Sequence, residues 1–231
     1  MILRVLAAAC AALVSVLQPA VASPDAPVAG QDYVVIEGGQ PWAPLAGKIE
    51  VVEVFGYWCH VCDAFQPMVD RWKTTLPADV RFSYVPAAFS LEDTYARGYF
   101  AAEALGGLAR THNATFRAIH VEQSLPQRGA SVAEVAALYG MLGLDAKRVA
   151  AAMAAPAADA RMAAAREFAV RSGVEGTPSV IVNGRYRVQA RSLADVLRVT
   201  DALIARERAG QVGAPAAATP QPSTDAARPT R

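Results

Sequence analysis

The sequence of 231 residues has little of what marks several common protein classes. It has only three cysteines, too few for a disulfide-stapled scaffold or for a closed zinc site built mainly from thiolates. Charged residues make up 19% and are balanced, with 22 Lys and Arg against 21 Asp and Glu. No strong field therefore exists to attract nucleic acid. The apolar runs fall short of the roughly 20 residues that span a membrane. These properties exclude nucleic-acid-binding, collagen-like, coiled-coil and multi-pass membrane proteins.

The first 22 residues are typical of a secretory signal peptide. Arg4 gives a positive start, Val5 to Leu17 is an apolar core, and Ala20-Val21-Ala22 offers the small-x-small pattern that places cleavage after Ala22. An uncleaved anchor is the alternative. Cleavage would remove Cys10 and leave an exported chain with two cysteines in an oxidising compartment.

The rest of the chain alternates strand-like and helix-like segments, and 53% of the sequence is apolar, enough for a folded core. Tyr33 to Ile36 predicts a short edge strand, and the β-branched run Ile49 to Phe55 predicts a central one. A helical stripe begins at Cys59, and Arg81 to Val85 predicts another strand. Residues 49–85 thus predict a β-α-β unit with parallel strands.

An Ala-rich region without strand signals follows. Its periodicity predicts helices over 92–105, 114–121, 132–142 and 147–153, with His112 and His120 on helix surfaces. Ser131 and Glu134 form a capping-box pattern, and Asp145 is a candidate N-cap. The last elements predicted are a helix at 159–171, strands 179–182 and 185–188 joined by an Asn-Gly turn, and a helix at 193–208.

This order predicts an α/β fold, a mixed β-sheet flanked by helices and interrupted by an all-helical insertion. The sheet domain would be discontinuous, comprising residues 23–88 and 166–209, with the insertion at 89–165. Two consecutive domains are the alternative, although a lone C-terminal hairpin is only marginally stable. Residues 210–231 form a Pro/Ala-rich tail that we expect to be disordered.

The two remaining cysteines, Cys59 and Cys62, lie where the central strand gives way to a helix. A bridge between them would close so small a ring that it constrains the unfolded chain very little, so a structural role is a poor explanation. A metal clip with His60 is one alternative, but zinc wants four ligands and the other histidines lie in the insertion. Redox chemistry explains the pair better.

The position of Cys59 favours its thiolate. A cysteine in a first helical turn is close to unpaired N–H groups and to the positive end of the helix dipole, and His60 can add charge or a hydrogen bond. Each unit of pKa depression is about 1.4 kcal/mol, so roughly three units would stabilise the reduced form by about 4 kcal/mol. Such a disulfide would oxidise ordinary thiols.

Three motifs carry a resemblance to a known family. The Cys-x-x-Cys at a strand-helix junction, Pro67 five residues after Cys62, and Gly176-Thr177-Pro178-Ser179 before a strand resemble the thioredoxin superfamily. The signal peptide and the helical insertion make the chain similar to the DsbA family of periplasmic thiol:disulfide oxidoreductases, over residues 31–208. The family's usual Pro-His dipeptide is replaced by His60-Val61.

The resemblance assigns roles to particular residues. It implies that Cys59 is the nucleophile, that Cys62 resolves mixed disulfides, and that the two form a redox-active disulfide. It implies a cis peptide bond at Pro178, whose loop with Thr177 binds substrate. It also implies that Glu53, six residues before Cys59, is a buried acid that shuttles a proton.

The function implied is that of a periplasmic dithiol oxidase whose redox properties are tuned by His60, Val61 and Glu53. It would donate the Cys59–Cys62 disulfide to reduced, unfolded exported proteins and return its electrons to a DsbB-like membrane quinone reductase. We expect a monomer that needs no cofactor beyond the disulfide. The alternatives are an isomerase or reductase of the same superfamily, since Thr177 is common there, and a metal-binding or chaperone module that uses the cysteines as ligands.

Overall fold

A five-stranded mixed sheet forms the centre of the molecule. The computed structural model describes residues 26–213, so the predicted signal peptide at 1–22 lies outside it, as does the tail beyond Gly213. The strands are β1 (Tyr33–Val35), β2 (Ile49–Phe55), β3 (Val80–Pro86), β4 (Ser179–Val182) and β5 (Tyr186–Val188), in the order β1-β5-β4-β2-β3. The predicted α/β sheet is confirmed, with β1 at an edge.

Strand β2 is the buried spine of the sheet. All seven of its residues are buried, and it pairs in parallel with β3 and antiparallel with β4. The parallel pair is joined by helix α1 (His60–Lys73), which contains Pro67 without ending there. A strand covered on both faces explains why its apolar residues do not alternate with polar ones.

A tight Asn-Gly turn joins β4 to β5, as the sequence predicts. Asn183 and Gly184 both have positive φ, 51° and 65°, which is the backbone that a type I′ hairpin turn requires. A side chain at position 184 is also excluded sterically, since a Cβ there would lie 2.1 Å from the carbonyl oxygen of Gln40. The hairpin is held in the sheet because β4 pairs with β2 and β5 pairs with β1.

The predicted helical insertion lies between β3 and β4. Its helices are α2 (Thr94–Ala104), α3 (Leu108–His120), α4 (Val132–Met141), α5 (Ala146–Met153) and α6 (Pro156–Arg171), and α7 (Leu193–Gly213) follows the hairpin. The predicted boundary between residues 165 and 166 falls inside α6. No helix among residues 26–213 combines the length and apolarity that a membrane span requires.

Three helix boundaries differ from the predicted ones. Helix α3 begins at Leu108, directly after the break at Gly106-Gly107, rather than at Ala114. Helix α6 begins with Pro156, because proline fits the first helical position. Helix α7 continues to Gly213, so residues 210–213 are helical rather than part of the predicted tail.

The side chains that the sequence predicts as N-caps do cap helices α4 and α5. The Ser131 hydroxyl accepts the N–H of Glu134 while the Glu134 carboxylate accepts the N–H of Ser131, so the predicted capping box is confirmed. Asp145 caps α5 by accepting the N–H of Arg148. The insertion helices pack on one face of the sheet, and α1 with α7 on the other. The carboxyl end of β2 therefore meets both layers.

Candidate active site

Cys59 is the N-cap of α1 at the carboxyl end of the central strand. Its backbone is extended, with φ −87° and ψ 111°, and its Sγ accepts the N–H of Cys62 at 3.2 Å. The turn that leads into it depends on Gly56, where a Cβ would approach the Trp58 indole to 2.6 Å. A thiol in the cap position receives the N–H groups that a serine or aspartate usually receives there.

The surroundings of Cys59 stabilise its thiolate. The Cys62 thiol, which donates a hydrogen bond to Cys59 Sγ, is the largest influence that lowers the pKa of Cys59 to about 5. Burial opposes this, while the Thr177 side chain and the backbone N–H groups of Cys62 and Val61 lower the pKa further. The residues that hold the anion are thus mostly those of the first helical turn.

The loop before β4 closes over the same sulfur. The Thr177–Pro178 peptide bond is cis, and the Cys59 thiol donates to the Thr177 carbonyl oxygen at 3.2 Å. The buried Thr177 hydroxyl has no hydrogen-bond partner among residues 26–213. It is therefore free to donate to Cys59 once that sulfur loses its proton.

Cys62 is fully buried one turn further along α1. Burial is the largest cause that raises its pKa, and a negative charge on Glu53 raises it again. Both cysteines are free thiols. The pair is therefore strongly asymmetric, with a stabilised anion at Cys59, which is 6% exposed, and a protonated thiol at Cys62, which has no exposed surface.

Glu53 lies in β2 between Tyr84 of β3 and Val180 of β4. It has no exposed surface, and neither carboxylate oxygen has a hydrogen-bond partner among the described residues. Burial raises its pKa to about 8, the positive charge of Lys73 lowers it, and a negative charge on Cys59 raises it. A carboxyl group poised near neutrality beside a buried thiol has the properties of a proton acceptor.

His60 and Val61 separate the two cysteines along the first turn of α1. Both side chains are exposed, and among the described residues the hydrogen-bond partners of the Cys59 sulfur are Cys62 and Thr177 rather than His60. The backbone N–H of Val61 helps to lower the pKa of Cys59. Tuning by the side chains of His60 and Val61 stays a prediction.

The prediction that His112 lies on a helix surface is wrong, and His120 is only partly exposed. His112 is buried, with Nδ1 2.9 Å from the Tyr57 hydroxyl and Nε2 3.3 Å from Gln66 Oε1. Burial lowers the pKa of His112 to about 3, so the ring is neutral. His120 is half-buried and donates from Nε2 to the Tyr57 carbonyl oxygen at 2.7 Å. Because the predicted helix began at Ala114, it left out His112 and the buried face of the first turns of α3.

The insertion also holds Trp58, which precedes Cys59. The indole N–H of Trp58 donates to Asp93 at 3.2 Å, and the Arg128 guanidinium lies 4.5 Å from the indole centre. Gln127 donates to the Trp58 carbonyl oxygen at 2.9 Å. The sequence did not mark these contacts, because a turn's free carbonyl groups leave no pattern along the chain. The insertion thus fixes the path of the backbone into the cysteine pair.

We expect His120→Ala to lower the free energy of unfolding by about 1 kcal/mol, because the Tyr57 carbonyl group loses its donor. Urea denaturation of the reduced protein measures the change. Val121→Ala is the matched control, since that neighbouring side chain is 69% exposed and should leave stability nearly unchanged. Equal stability of His120→Ala and the wild type would contradict a stabilising role for the hydrogen bond from His120 to Tyr57.

A metal clip at the cysteines finds no further ligands in this arrangement. Among residues 26–213, no three or more His, Cys, Asp or Glu side chains come together in a way that could hold a metal ion. The histidines of the insertion instead bind Tyr57 and Gln66. What the site offers is a nucleophilic sulfur and a second sulfur one turn away, which is the requirement for thiol-disulfide exchange.

Comparisons with known proteins agree with this chemistry. Residues 50–199, more than half of the chain, match the DSBA-like thioredoxin domain. The chain is 35% identical over 185 residues to the thiol:disulfide interchange protein DsbA of Pseudomonas aeruginosa, covering 78% of this chain and 86% of that protein. It is 32% identical over 210 residues to the protein of the same name from Bordetella parapertussis, covering 89% and 96%.

A solved structure extends the match to three dimensions. The crystal structure of the oxidoreductase DsbA from Xylella fastidiosa superimposes with a TM-score of 0.78 and is 45% identical, covering 80% of this chain and 99% of that one. The likeness includes both the sheet and the helical insertion. With its Cys59–Cys62 pair at the end of the central strand, the chain belongs to the DsbA family of thiol:disulfide oxidoreductases.

Proposed function

We propose that this chain is exported to the periplasm and acts there as a dithiol oxidase, donating the Cys59–Cys62 disulfide to reduced, unfolded exported proteins. The observation that carries this direction is the asymmetry of the two thiols, one with a pKa lowered to about 5 and the other with a raised pKa. A stabilised Cys59 thiolate favours the reduced enzyme and makes the disulfide a strong oxidant.

The exchange proceeds in two displacements at sulfur. A substrate thiolate attacks Cys59 Sγ, a mixed disulfide forms, and the bond to Cys62 breaks, which leaves Cys62 as a thiolate that takes a proton. A second substrate thiolate then attacks the substrate sulfur of the mixed disulfide and releases Cys59 as its stable thiolate. The substrate is oxidised by two electrons and the enzyme is reduced by two. The low pKa of Cys59 makes it the good leaving group in the second step.

Three further roles belong to the proposal. Thr177 and Pro178 form the loop against which an extended substrate binds, since the Thr177 carbonyl group already accepts a hydrogen bond from the Cys59 thiol. His60 and Val61 tune the reduction potential from the exposed first turn of α1. Glu53 exchanges a proton with Cys62, since its charge influences that thiol and it has no competing partner among the described residues.

The partners proposed follow from the same chemistry. Reduced enzyme must return two electrons to an acceptor, for which we propose a DsbB-like membrane quinone reductase. We propose that the enzyme works as a monomer, with the disulfide as its only redox group.

We expect the Cys59 thiol to titrate near pH 5 in the reduced protein. The ultraviolet absorbance of the thiolate, followed against pH, measures this, and Cys59→Ser supplies the baseline. The equilibrium with glutathione should lie toward the reduced enzyme. A near-normal thiol pKa, or an equilibrium that favours the enzyme disulfide, would contradict the oxidase and favour a reductase.

A further inference from the structure

A polar recess opens beside Tyr84, the register partner of Glu53, near the C-terminal end of α1. It has a volume of about 250 Å³ and lies between α1, β3 and the insertion helices α2 and α3. The lining residues are Asp70, Lys73, Tyr84, Tyr99, Leu108, Ala109, His112 and Asn113. We refer to this space as the Lys73 recess. The exchange chemistry proposed above makes no use of it.

Hydrogen bonds connect the mouth of the Lys73 recess to its floor. Lys73 Nζ is 2.8 Å from Asp70 Oδ1, and both side chains are about one-third exposed, so the mouth is in contact with solvent. Lys73 Nζ also donates to the Tyr84 hydroxyl at 3.0 Å, and Gln66 Nε2 donates to the same hydroxyl at 2.6 Å. The Tyr84 hydroxyl therefore accepts two hydrogen bonds, and its own proton is available to a third group.

Glu53 lies next to Tyr84, which lines the Lys73 recess. Tyr84 and Glu53 are register partners in the parallel β2–β3 pair, so their side chains are neighbours on one face of the sheet. The Glu53 carboxylate is fully buried, and no described residue hydrogen-bonds to it. β4 contributes the apolar Val180 beside it. The titratable groups that influence Glu53 are Cys59, Asp70 and Lys73 of α1, and it influences Cys62 of α1 and Tyr84 of β3 in turn.

We propose that the Lys73 recess is the route by which Glu53 exchanges its proton with solvent, and that Lys73 is the positioning residue that keeps Glu53 ionised often enough to take the proton of Cys62. This inference rests on the proposed exchange between Cys59 and Cys62. Lys73 acts through Glu53 and touches neither sulfur.

The step concerned is the closing of the enzyme disulfide. When Cys59 forms a mixed disulfide with an oxidant such as glutathione disulfide, the Cys62 thiol gives its proton to the Glu53 carboxylate. The Cys62 thiolate attacks Cys59 Sγ, the enzyme disulfide forms, and glutathione leaves as its thiolate and takes a proton from water. Glu53, now a carboxylic acid, releases its proton through the recess. Two electrons pass from the cysteine pair to the oxidant.

The charge on Lys73 matters because it lowers the pKa of Glu53, whereas burial raises that pKa. Burial holds the Glu53 proton in place, Lys73 favours the ionised carboxylate, and the negative charge of Asp70 works against Lys73. Without the lysine charge a smaller fraction of Glu53 would be ionised at neutral pH. The base that Cys62 needs would then be present less often, and ring closure would slow.

The experiment measures ring closure directly. Reduced enzyme is mixed rapidly with glutathione disulfide, and the disappearance of the Cys59–glutathione mixed disulfide is followed from acid to alkaline pH. We expect Lys73→Met to move the midpoint of the pH–rate profile upward by about one unit and to slow closure about tenfold at neutral pH. Lys73→Arg keeps the charge and should restore the wild-type midpoint.

Two comparisons separate this role from a structural one. Arg71→Met removes a positive charge from the same helical turn but lies outside the recess, and should leave the profile unchanged. In a Glu53→Gln background, Lys73→Met should produce no further slowing, because the residue through which it acts is gone.

A wild-type midpoint in Lys73→Met, or an equal slowing by Lys73→Met with and without Glu53, would overturn the inference. Failure of the proposed function has a different signature, since the wild type itself would then not form the enzyme disulfide from glutathione disulfide.

Discussion

Replacing Cys59 with serine should abolish disulfide transfer, whereas replacing Cys62 with serine should trap substrates on the enzyme as mixed disulfides. Cys59 is the sulfur whose thiolate is stabilised, and it contacts Thr177 of the loop that we propose binds substrate. Cys62 has no exposed surface, so a substrate cannot reach it first. A serine at position 62 leaves an attacking sulfur but removes the internal thiol that would release an unproductive adduct.

The measurement uses a reduced, unfolded client with at least two cysteines. Wild-type enzyme should oxidise it, Cys59→Ser should give no product, and Cys62→Ser, supplied with an external disulfide, should give a covalent complex visible on a nonreducing gel. The matched control is the double variant Cys59→Ser/Cys62→Ser, which should form no complex. Covalent capture by Cys59→Ser, with none by Cys62→Ser, would reverse the roles assigned to the two cysteines.

Much of the fold could be predicted because its signals are local. The β-branched run Ile49 to Phe55, the Asn-Gly turn and the Ser131 capping box each constrain the backbone through neighbouring residues, and the structure has all three. The place of the cysteine pair is equally local. A strand that ends before a Cys-x-x-Cys leaves its first cysteine at the cap of the next helix.

What supports the site from a distance could not be predicted in this way. Lys73, Gln66 and Tyr84 meet behind Glu53 only because α1 crosses the sheet beside β3. His112 faces inward on the first turns of α3, which begins at Leu108 with no side-chain cap to mark its start. Contacts of this kind depend on how layers pack, and one sequence records them only as scattered polar residues.

Strand β2 contains two fully buried glutamates, Glu50 and Glu53, which differ in whether their carboxylates have hydrogen-bond and ion-pair partners. Glu50 accepts the N–H groups of Trp42 and Ala43 and pairs with Arg81 at 2.7 Å, so its charge is compensated. Glu53 has none of these partners among the described residues. A buried carboxylate without partners destabilises a fold, which supports the proposal that Glu53 serves the chemistry of the site at the expense of stability.

Replacing Glu53 with glutamine should therefore stabilise the reduced protein, by about 3 kcal/mol at pH 7. The pKa of Glu53 rises from 4.5 to about 8 on folding, so between these pH values the folded protein holds a proton that the unfolded chain releases. The contribution of Glu53 to the free energy of unfolding of the wild type must therefore fall as the pH rises from 4.5 to about 8, and stay constant above that.

The advantage of Glu53→Gln should accordingly vanish below about pH 4, where the carboxyl group is protonated in both states. Urea denaturation across the pH range measures it. Glu50→Gln is the matched control on the same strand and should have the opposite sign, losing about 1–3 kcal/mol at pH 7 because its ion pair with Arg81 is removed. If Glu53→Gln were no more stable than the wild type at pH 7, the carboxylate would have to be compensated in the folded protein. Glu53 would then already be ionised at neutral pH, and burial would not govern when it can accept the proton of Cys62.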